Sequence, residues 1–373
     1  MRYIETFREG MHVSDVYLCK NKQIQLTKNG KEYGNLVLQD KTGTIDAKIW
    51  DLNSPGVGDF DTMDYVCIEA DVTLFQNSNQ LNVRRIRKAG EGEYIESDYL
   101  PVSKRDIGKM YEELLAFIKS VKNPYLNRLL SSFFVDDAAF AKAFQFHSAA
   151  KTVHHGFVGG LLEHTLSVTK LCDYYAGYYK ELNRDLLITA AIFHDIGKTK
   201  IPDEVLNKDG KLTDEEFQMI RNHPKYGYDI LKSQPLNSHI KKAALMHHER
   251  CDGSGYPMGL TMEEIDDYAL IIAIADVYDA MTAARSYRAP LCPFEVIAEF
   301  EKDGLQKYKP KYILTFLENI ANAYQNNRVM LSDGTSARIV LLNHRRLSKP
   351  LVQLDDGACI DLEKSPLYIK AII

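Results

Sequence analysis

The sequence predicts a multi-domain chain: a small β-barrel, a long all-α region, and a small C-terminal β-module. Three observations predict it. Residues 1 to about 92 alternate apolar and polar side chains between turn clusters, as half-buried strands do. Residues 103 to about 324 carry helical periodicity, broken by glycine and proline where helices end. From Arg328 the alternation returns, with turns at Asp333-Gly334 and Asp356-Gly357. The expected boundaries are 1–92 for the barrel, 93–102 for a linker, 103–325 for the helical domain and 326–373 for the β-module.

In the first zone, "NLVLQD" and "TIDAKIWD" flank the short turn "KTG", and "YVCIEADVTLF" and "QLNVRRIRKAG" flank "QNSN". Two such hairpins and four or five strands fit a small barrel, of which the OB-fold is one kind. The strand "LNVRRIRK" brings Arg84, Arg85, Arg87 and Lys88 together, and Trp50 and Phe75 offer stacking faces. Basic strands with aromatics suit single-stranded nucleic acid. The competing reading is a solvated edge strand guarded by charge.

The connector "GEGEYIESDYLPVS" follows. Ser103-x-x-Asp106 resembles a capping box before "IGKMYEELLAFIKSV", and Thr213-x-x-Glu216 opens a later helix. The tail offers strands "RVMLSDGTSARIVLLN", "PLVQLDDG" and "CIDL", three to five in all, with no evident chemistry.

Composition bounds the function. A net charge of −5 gives no bulk attraction to nucleic acid or anionic membrane, so such binding needs a local patch. The opening "MRYIETFREGMHVSD" has charges and no apolar core, so no secretory leader is expected. The apolar run "YALIIAIADVYDAM" is short and interrupted by Asp276 and Asp279, so no membrane span is expected. Six scattered cysteines without a C-x-x-C fit free thiols in a reducing cytoplasm.

The chemistry concentrates in the helical zone. His164 lies on the apolar face of "LLEHTLSV", where a lone histidine reads as core. His247-His248 end a helix and are hard to bury without a partner. Asp276 lies in an otherwise apolar helix, where a carboxylate needs a cation: a metal, or a buried Arg or Lys. Together with His194, Asp195 and His223, these groups from several helices point to one site. No cysteine joins them, so the donors are mixed N and O, which suits Mn or Fe first, with Zn, Ni or Co as alternatives. Seven ligands exceed one ion's need, so two divalent ions are expected, with Asp195 the natural bridge. Two ions a few Å apart serve phosphodiester hydrolysis by generating hydroxide and steadying the leaving oxygen. Lys198, one turn beyond Asp195, could add positive charge at a phosphate oxygen, or simply answer a helix dipole.

The pattern of His164, His194-Asp195 and Asp276 resembles the HD metal-dependent phosphohydrolase superfamily over about residues 150–285. Residues 1–200, through the barrel and "TVHHGFVGGLLEHTLSV", resemble OB-fold/HD 3′→5′ exoribonucleases of the YhaM type. From His194 onward, "HDIGKTKIPDEVLNKDGKLTDEEF", "HPKYG", "HHERCDGSGYP" and "DVYDAMTAARSYR" resemble HD-GYP cyclic di-GMP phosphodiesterases. The HD-GYP resemblance implies one ion on His164, His194, Asp195 and Asp276, and another on Asp195, His223, His247 and His248. It implies phosphate contact by Lys198, Arg285 and Arg288, and a loop at Tyr256 and Pro257 shaping the site. Gly160 stands where some HD-GYP enzymes carry a third-ion glutamate, which again implies two ions. His154 and His155 read as groove or packing residues.

The expected function is a two-metal cytoplasmic phosphodiesterase, with cyclic di-GMP the favoured substrate. The alternatives are 3′→5′ exonucleolysis of RNA or single-stranded DNA, and a non-catalytic nucleotide sensor. A homo-oligomer is compatible with the sequence, and no membrane partner is expected.

Overall fold

A computed structural model describes residues 2–373 apart from 28–29, 63, 76–77, 91, 96–97, 100–102, 104, 150–156, 207, 209–210 and 284–290. The chain divides into two compact units, Met1–Lys104 and Arg105–Ile373.

In the first unit, β1 (His12–Leu26), β2 (Glu32–Asp40), β3 (Gly43–Ile49), β4 (Tyr65–Phe75) and β5 (Ser78–Lys88) close into a barrel. Their order, β1-β2-β3-β5-β4, is that of an OB-fold. β1 serves two neighbours: His12–Leu18 pairs with β4, and its second half pairs with β2 across a register break between Cys19 and Asn21. Such a break bends a strand and lets it turn the barrel's corner. Alternation sends Leu36, Leu38, Ile45, Ala47, Ile49, Val66, Ile68, Ala70 and Val72 inward to one core. At the first hairpin, Asp40 Oδ1 accepts the backbone N–H groups of Thr42 (2.7 Å) and Gly43 (3.2 Å), fixing the turn.

The strand bearing Arg84, Arg85, Arg87 and Lys88 is not the open edge that one reading expected. Its Asn82 end pairs with β3, and Ile86 exchanges backbone hydrogen bonds with Gly56 (2.9 Å) and Gly58 (2.8 Å) of the preceding loop. Closure leaves charge no edge to guard. Each cation meets a carboxylate: Arg84 with Asp71, Arg85 with Glu69 (3.7 Å), Arg87 with Glu93 (2.7 Å) and Lys88 with Asp64 (2.5 Å).

The second unit is helical up to Ala323. Its elements are α1 (Ile107–Ser120), α2 (Pro124–Phe134), α3 (Ala138–Phe146), α4 (Gly160–Ala176), α5 (Arg184–Phe193), α6 (Asp203–Leu206), α7 (Asp214–Arg221), α8 (His223–Lys232), α9 (Ser238–Met246), α10 (Asp267–Thr282), α11 (Pro293–Lys307) and α12 (Pro310–Ala323). The cap of α1 is Asp106, whose Oδ1 accepts Lys109 N–H at 2.8 Å. The expected box from Ser103 is therefore displaced by three residues, because Asp106 itself takes the extended cap conformation. At α7 the box forms as expected: Glu216 N–H donates to Thr213 Oγ1 (3.2 Å) and Thr213 N–H to Glu216 Oε2 (2.7 Å).

α5 and α10 are apolar almost all round and fill the middle of the unit. The C-terminal strands β6 (Arg328–Leu331), β7 (Ser336–Leu341), β8 (Leu351–Leu354), β9 (Cys359–Asp361) and β10 (Ile369–Ile372) form an antiparallel sheet, ordered β10-β6-β7-β8-β9. Val329, Leu331, Ile339, Val352 and Ile369 share one hydrophobic cluster with Phe294 and Phe300 of α11 and Ile320 of α12. Among the described residues, no helix is long and apolar enough to cross a membrane. The six cysteines are free thiols, four of them buried.

Candidate metal centre

The helices carry their imidazoles and carboxylates to one buried point. α5 ends at Phe193, and His194 keeps helical angles (φ −54°, ψ −40°) while Asp195 departs to φ −103°, ψ 10°. A 3₁₀ turn, Ile196–Lys200, follows. The helix changes gauge between His194 and Asp195, so both face the same site.

Asp195 is buried, and its two oxygens look at different partners. Oδ2 lies 3.3 Å from His164 Nε2, 3.4 Å from His194 Nε2 and 2.5 Å from Lys198 Nζ. Oδ1 lies 3.1 Å from His223 Nε2 and 3.5 Å from His247 Nε2. Asp276 joins the two sets again, with Oδ1 3.2 Å from His164 Nε2 and Oδ2 3.6 Å from His248 Nδ1. The result is two clusters sharing Asp195: His164 and His194 with Asp195, and His223, His247 and His248 with Asp195. No buried Arg or Lys pairs with Asp276 among the described residues; its neighbours are imidazoles.

The far side of each ring sets its tautomer. Nδ1 of His194 faces the Ala191 carbonyl at 2.7 Å, that of His223 the Ile220 carbonyl at 2.7 Å, and that of His247 the Ala244 carbonyl at 3.0 Å. Carbonyls only accept, so Nδ1 carries the proton and Nε2 presents a lone pair inward. His164 Nδ1 is held by Asp279 Oδ2 at 2.7 Å. The inward Nε2 atoms then confront one another, His164 with His194 at 3.3 Å and His223 with His247 at 3.2 Å. Asp195 Oδ1, also buried, receives no hydrogen bond. The facing lone pairs of His223 and His247 and the orphaned carboxylate oxygen repel, and a cation between them reverses the sign. Ligand atoms about 2.1 Å from one cation at right angles sit about 3 Å apart, close to these separations. The donors fit divalent ions.

Electrostatics agree. Burial opposes charge on Asp195, but Lys198 and the imidazoles hold it well below the usual carboxylate range. Asp276 is likewise held low, mainly by His164 and His248 against burial. Burial pulls His247 down to about 4 and His248 well below the ordinary histidine range, so both are neutral donors at pH 7. His164 goes the other way: burial lowers it, but Asp195, Asp276 and Asp279 outweigh burial and raise it well above the usual range.

Two glycines permit the assembly. A Cβ on Gly197 would lie 1.9 Å from the His223 carbonyl oxygen and 2.5 Å from Gly227 N. Only glycine lets the 3₁₀ turn press on the start of α8 and seat His223 against Asp195. A Cβ on Gly255 would lie 2.4 Å from Glu249 Cα, so the loop after His248 also folds backbone on backbone. Buried Glu249 ties that loop down, accepting N–H groups of Met258 (2.7 Å) and Leu260 (2.9 Å). Tyr256 stacks on His248 at 4.7 Å between centroids, and the Arg221 guanidinium lies 4.6 Å from the Tyr256 ring.

Thus His164, His194, Asp195, Lys198, His223, His247, His248, Asp276 and Tyr256 come together. Lys198 lies on a 3₁₀ turn rather than on the expected α-helical turn, and reaches Asp195 directly. Arg285, Arg288, His154 and His155 lie outside the described residues. Arg84, Arg85, Arg87 and Lys88 belong to the barrel unit. Sequence reasoning missed Asp279, Glu249 and Arg221. Asp279 had a signal, since it lies three residues after Asp276 on one face of an apolar helix.

The model of a family described as "HD domain" matches residues 157–312. A 3′-5′ exoribonuclease YhaM from Bacillus velezensis is 34% identical over 192 residues, 51% of this chain and 60% of that protein. A cyclic di-GMP phosphodiesterase from Thermotoga maritima is 41% identical over 144 residues, 37% of this chain and 39% of that protein. The solved structure of Bd1817, an HDG"Y"P protein from Bdellovibrio bacteriovorus, covers 67% of this chain and 93% of its own, at 16% identity and a TM-score of 0.38. The chain spans less than two thirds of the two curated relatives. With His194-Asp195 at the head of its 3₁₀ turn and His164 and Asp276 closing on them, residues 157–312 are an HD domain.

Proposed function

We propose that this chain is a phosphodiesterase with two divalent ions and that its substrate is a cyclic dinucleotide of the cyclic di-GMP kind. One observation carries the reading: the two oxygens of Asp195 face two separate imidazole pairs. His164, His194, Asp195 and Asp276 would hold one ion, and Asp195, His223, His247 and His248 the other. Mixed imidazole and carboxylate donors favour Mn or Fe. Bound there, the ions supply Lewis acidity to the phosphate and lower the pKa of the attacking water.

The chain's own residues do the rest. Asp195 fixes the spacing of the two halves. Lys198, buried and donating to Asp195, places its Nζ where negative charge would grow on the phosphate. Carbonyls and Asp279 hold the ring tautomers, so no rotation is needed during turnover. Tyr256, on His248, offers a flat wall beside the reacting phosphate. The HD-GYP resemblance adds Arg285 and Arg288 as forked phosphate ligands. Free cysteines suit a cytoplasmic setting.

A second reading, 3′-end exonucleolysis, is favoured by the OB-ordered barrel and by the exoribonuclease likeness over half the chain. Parallel assays with Mn²⁺, one on cyclic di-GMP and one on 3′-labelled short RNA, test both. Cleavage of the cyclic dinucleotide is expected. Shortening of the RNA alone overturns the substrate assignment, and no cleavage of either overturns the activity.

A further inference from the structure

The tail module carries a second place of interest, away from the metal centre. A cavity of about 550 Å³ lies between α11, α12 and the loop that joins β7 to β8. That loop reads "NHRRLSKP". It is held at several points. Asn343 Oδ1 accepts Arg345 N–H at 3.0 Å, and Asn343 Nδ2 donates to Glu363 Oε2 at 2.6 Å. Leu347 is buried, Ser348 N–H and Oγ–H both donate to Glu301, and Lys349 Nζ donates to the Leu367 carbonyl at 2.7 Å.

Two consecutive arginines, Arg345 and Arg346, line the cavity from this braced loop. Arg345 and Arg346 are exposed, and neither side chain makes an ion pair among the described residues. The barrel behaves differently, since each of the four cations at its basic strand meets a carboxylate. Lys302 and Lys349 also line the cavity; of its two carboxylates, Glu301 is taken by Ser348. Burial pushes the Lys349 ammonium down, and neighbouring Arg346 adds to the effect. The floor is apolar, from Ile313, Leu314 and Leu317 of α12. Two unpaired guanidiniums on one braced loop suit a phosphate, and an apolar floor beside them suits a ring.

We propose that this cavity binds a nucleoside monophosphate, its phosphate on Arg345 and Arg346 and its base on the α12 floor. The site is independent of the activity proposed above and lies on different elements. A mononucleotide falls within the volume range of ordinary ligand pockets.

The test is calorimetric titration of the full Mn²⁺-loaded chain with GMP, with guanosine and inorganic phosphate as separate arms. Two variants accompany it: R345E/R346E at the rim and L314D on the floor, all at exposed positions. GMP is expected to fill a site that each variant weakens by about tenfold or more, with melting temperature unchanged. Guanosine and phosphate alone should bind more weakly than GMP. Equal GMP binding by wild type and both variants overturns the site, as does no binding by the wild type. Phosphate binding as tightly as GMP overturns the role of the floor.

Discussion

Replacing Asp195 by Ala removes the carboxylate that faces both imidazole pairs, and leaves nothing between them to hold a second ion. Metal content should fall from about two ions per chain toward one or none, and phosphodiester hydrolysis should be lost. Elemental analysis beside the assay checks this; an Asp195→Ala protein with full activity contradicts the two-ion account. His164 makes a second prediction. Three carboxylates raise its pKa well above the usual range, so the metal-free chain carries a proton there at pH 7. An entering cation competes with that proton. Loading should therefore release it, and apparent metal affinity should rise with pH until His164 is deprotonated before the ion arrives. Titrating Mn²⁺ in two buffers of different ionisation heat measures the release; identical heats in both would refute it. At this scale the sequence pointed to which side chains gather at one place, because His and Asp in apolar helices are costly without a cation. It was silent on Glu249 and Arg221, whose roles arise from what they touch after folding, and signalled Asp279 only through its spacing from Asp276.

Elements set the spacing that residues use. The 3₁₀ turn Ile196–Lys200 and the head of α8 meet backbone to backbone at Gly197. Gly197→Ala should push α8 outward, since the new Cβ cannot coexist with the His223 carbonyl at 1.9 Å. The expected cost is about 1–3 kcal/mol of stability and selective loss of the ion on His223, His247 and His248. Denaturant melts with metal analysis would show it; normal stability and two ions would mean that the turn relaxes elsewhere. Element identity was mostly readable. The hairpins around "KTG" and "QNSN", the Thr213 box and the long apolar α10 follow from local pattern. The 3₁₀ turn was not readable, because "HDIGKTK" continues a helical pattern and only the close approach of α8 forces the tighter gauge.

At the scale of the whole molecule, the two units differ in how they are held. Residues Met1–Lys104 have their own closed core around Tyr17, Leu36, Leu38 and Leu81. Expressed alone, they should unfold in one cooperative transition, visible by circular dichroism; a disordered fragment would contradict this. The sheet of β6 to β10 has no such separate core, since its apolar face is part of the helical cluster. Deleting residues 326–373 should therefore strip cover from α11 and α12 and destabilise the HD domain. The presence of the tail strands was legible from alternation, but their sharing of the helical core was not, because a strand's sequence does not say what covers its apolar face.

The barrel has one further property, which concerns time. Its hairpins β2–β3 and β4–β5 join residues close in the chain, whereas the seam pairs Asp46–Lys48 with Gln80–Asn82, in parallel and over three residues. Local hairpins zip early; a short parallel seam must first bring distant segments together. As the shortest ladder of the barrel, the seam should be the first to breathe. Amide protons that bond across it should exchange with solvent ahead of those in the hairpin ladders.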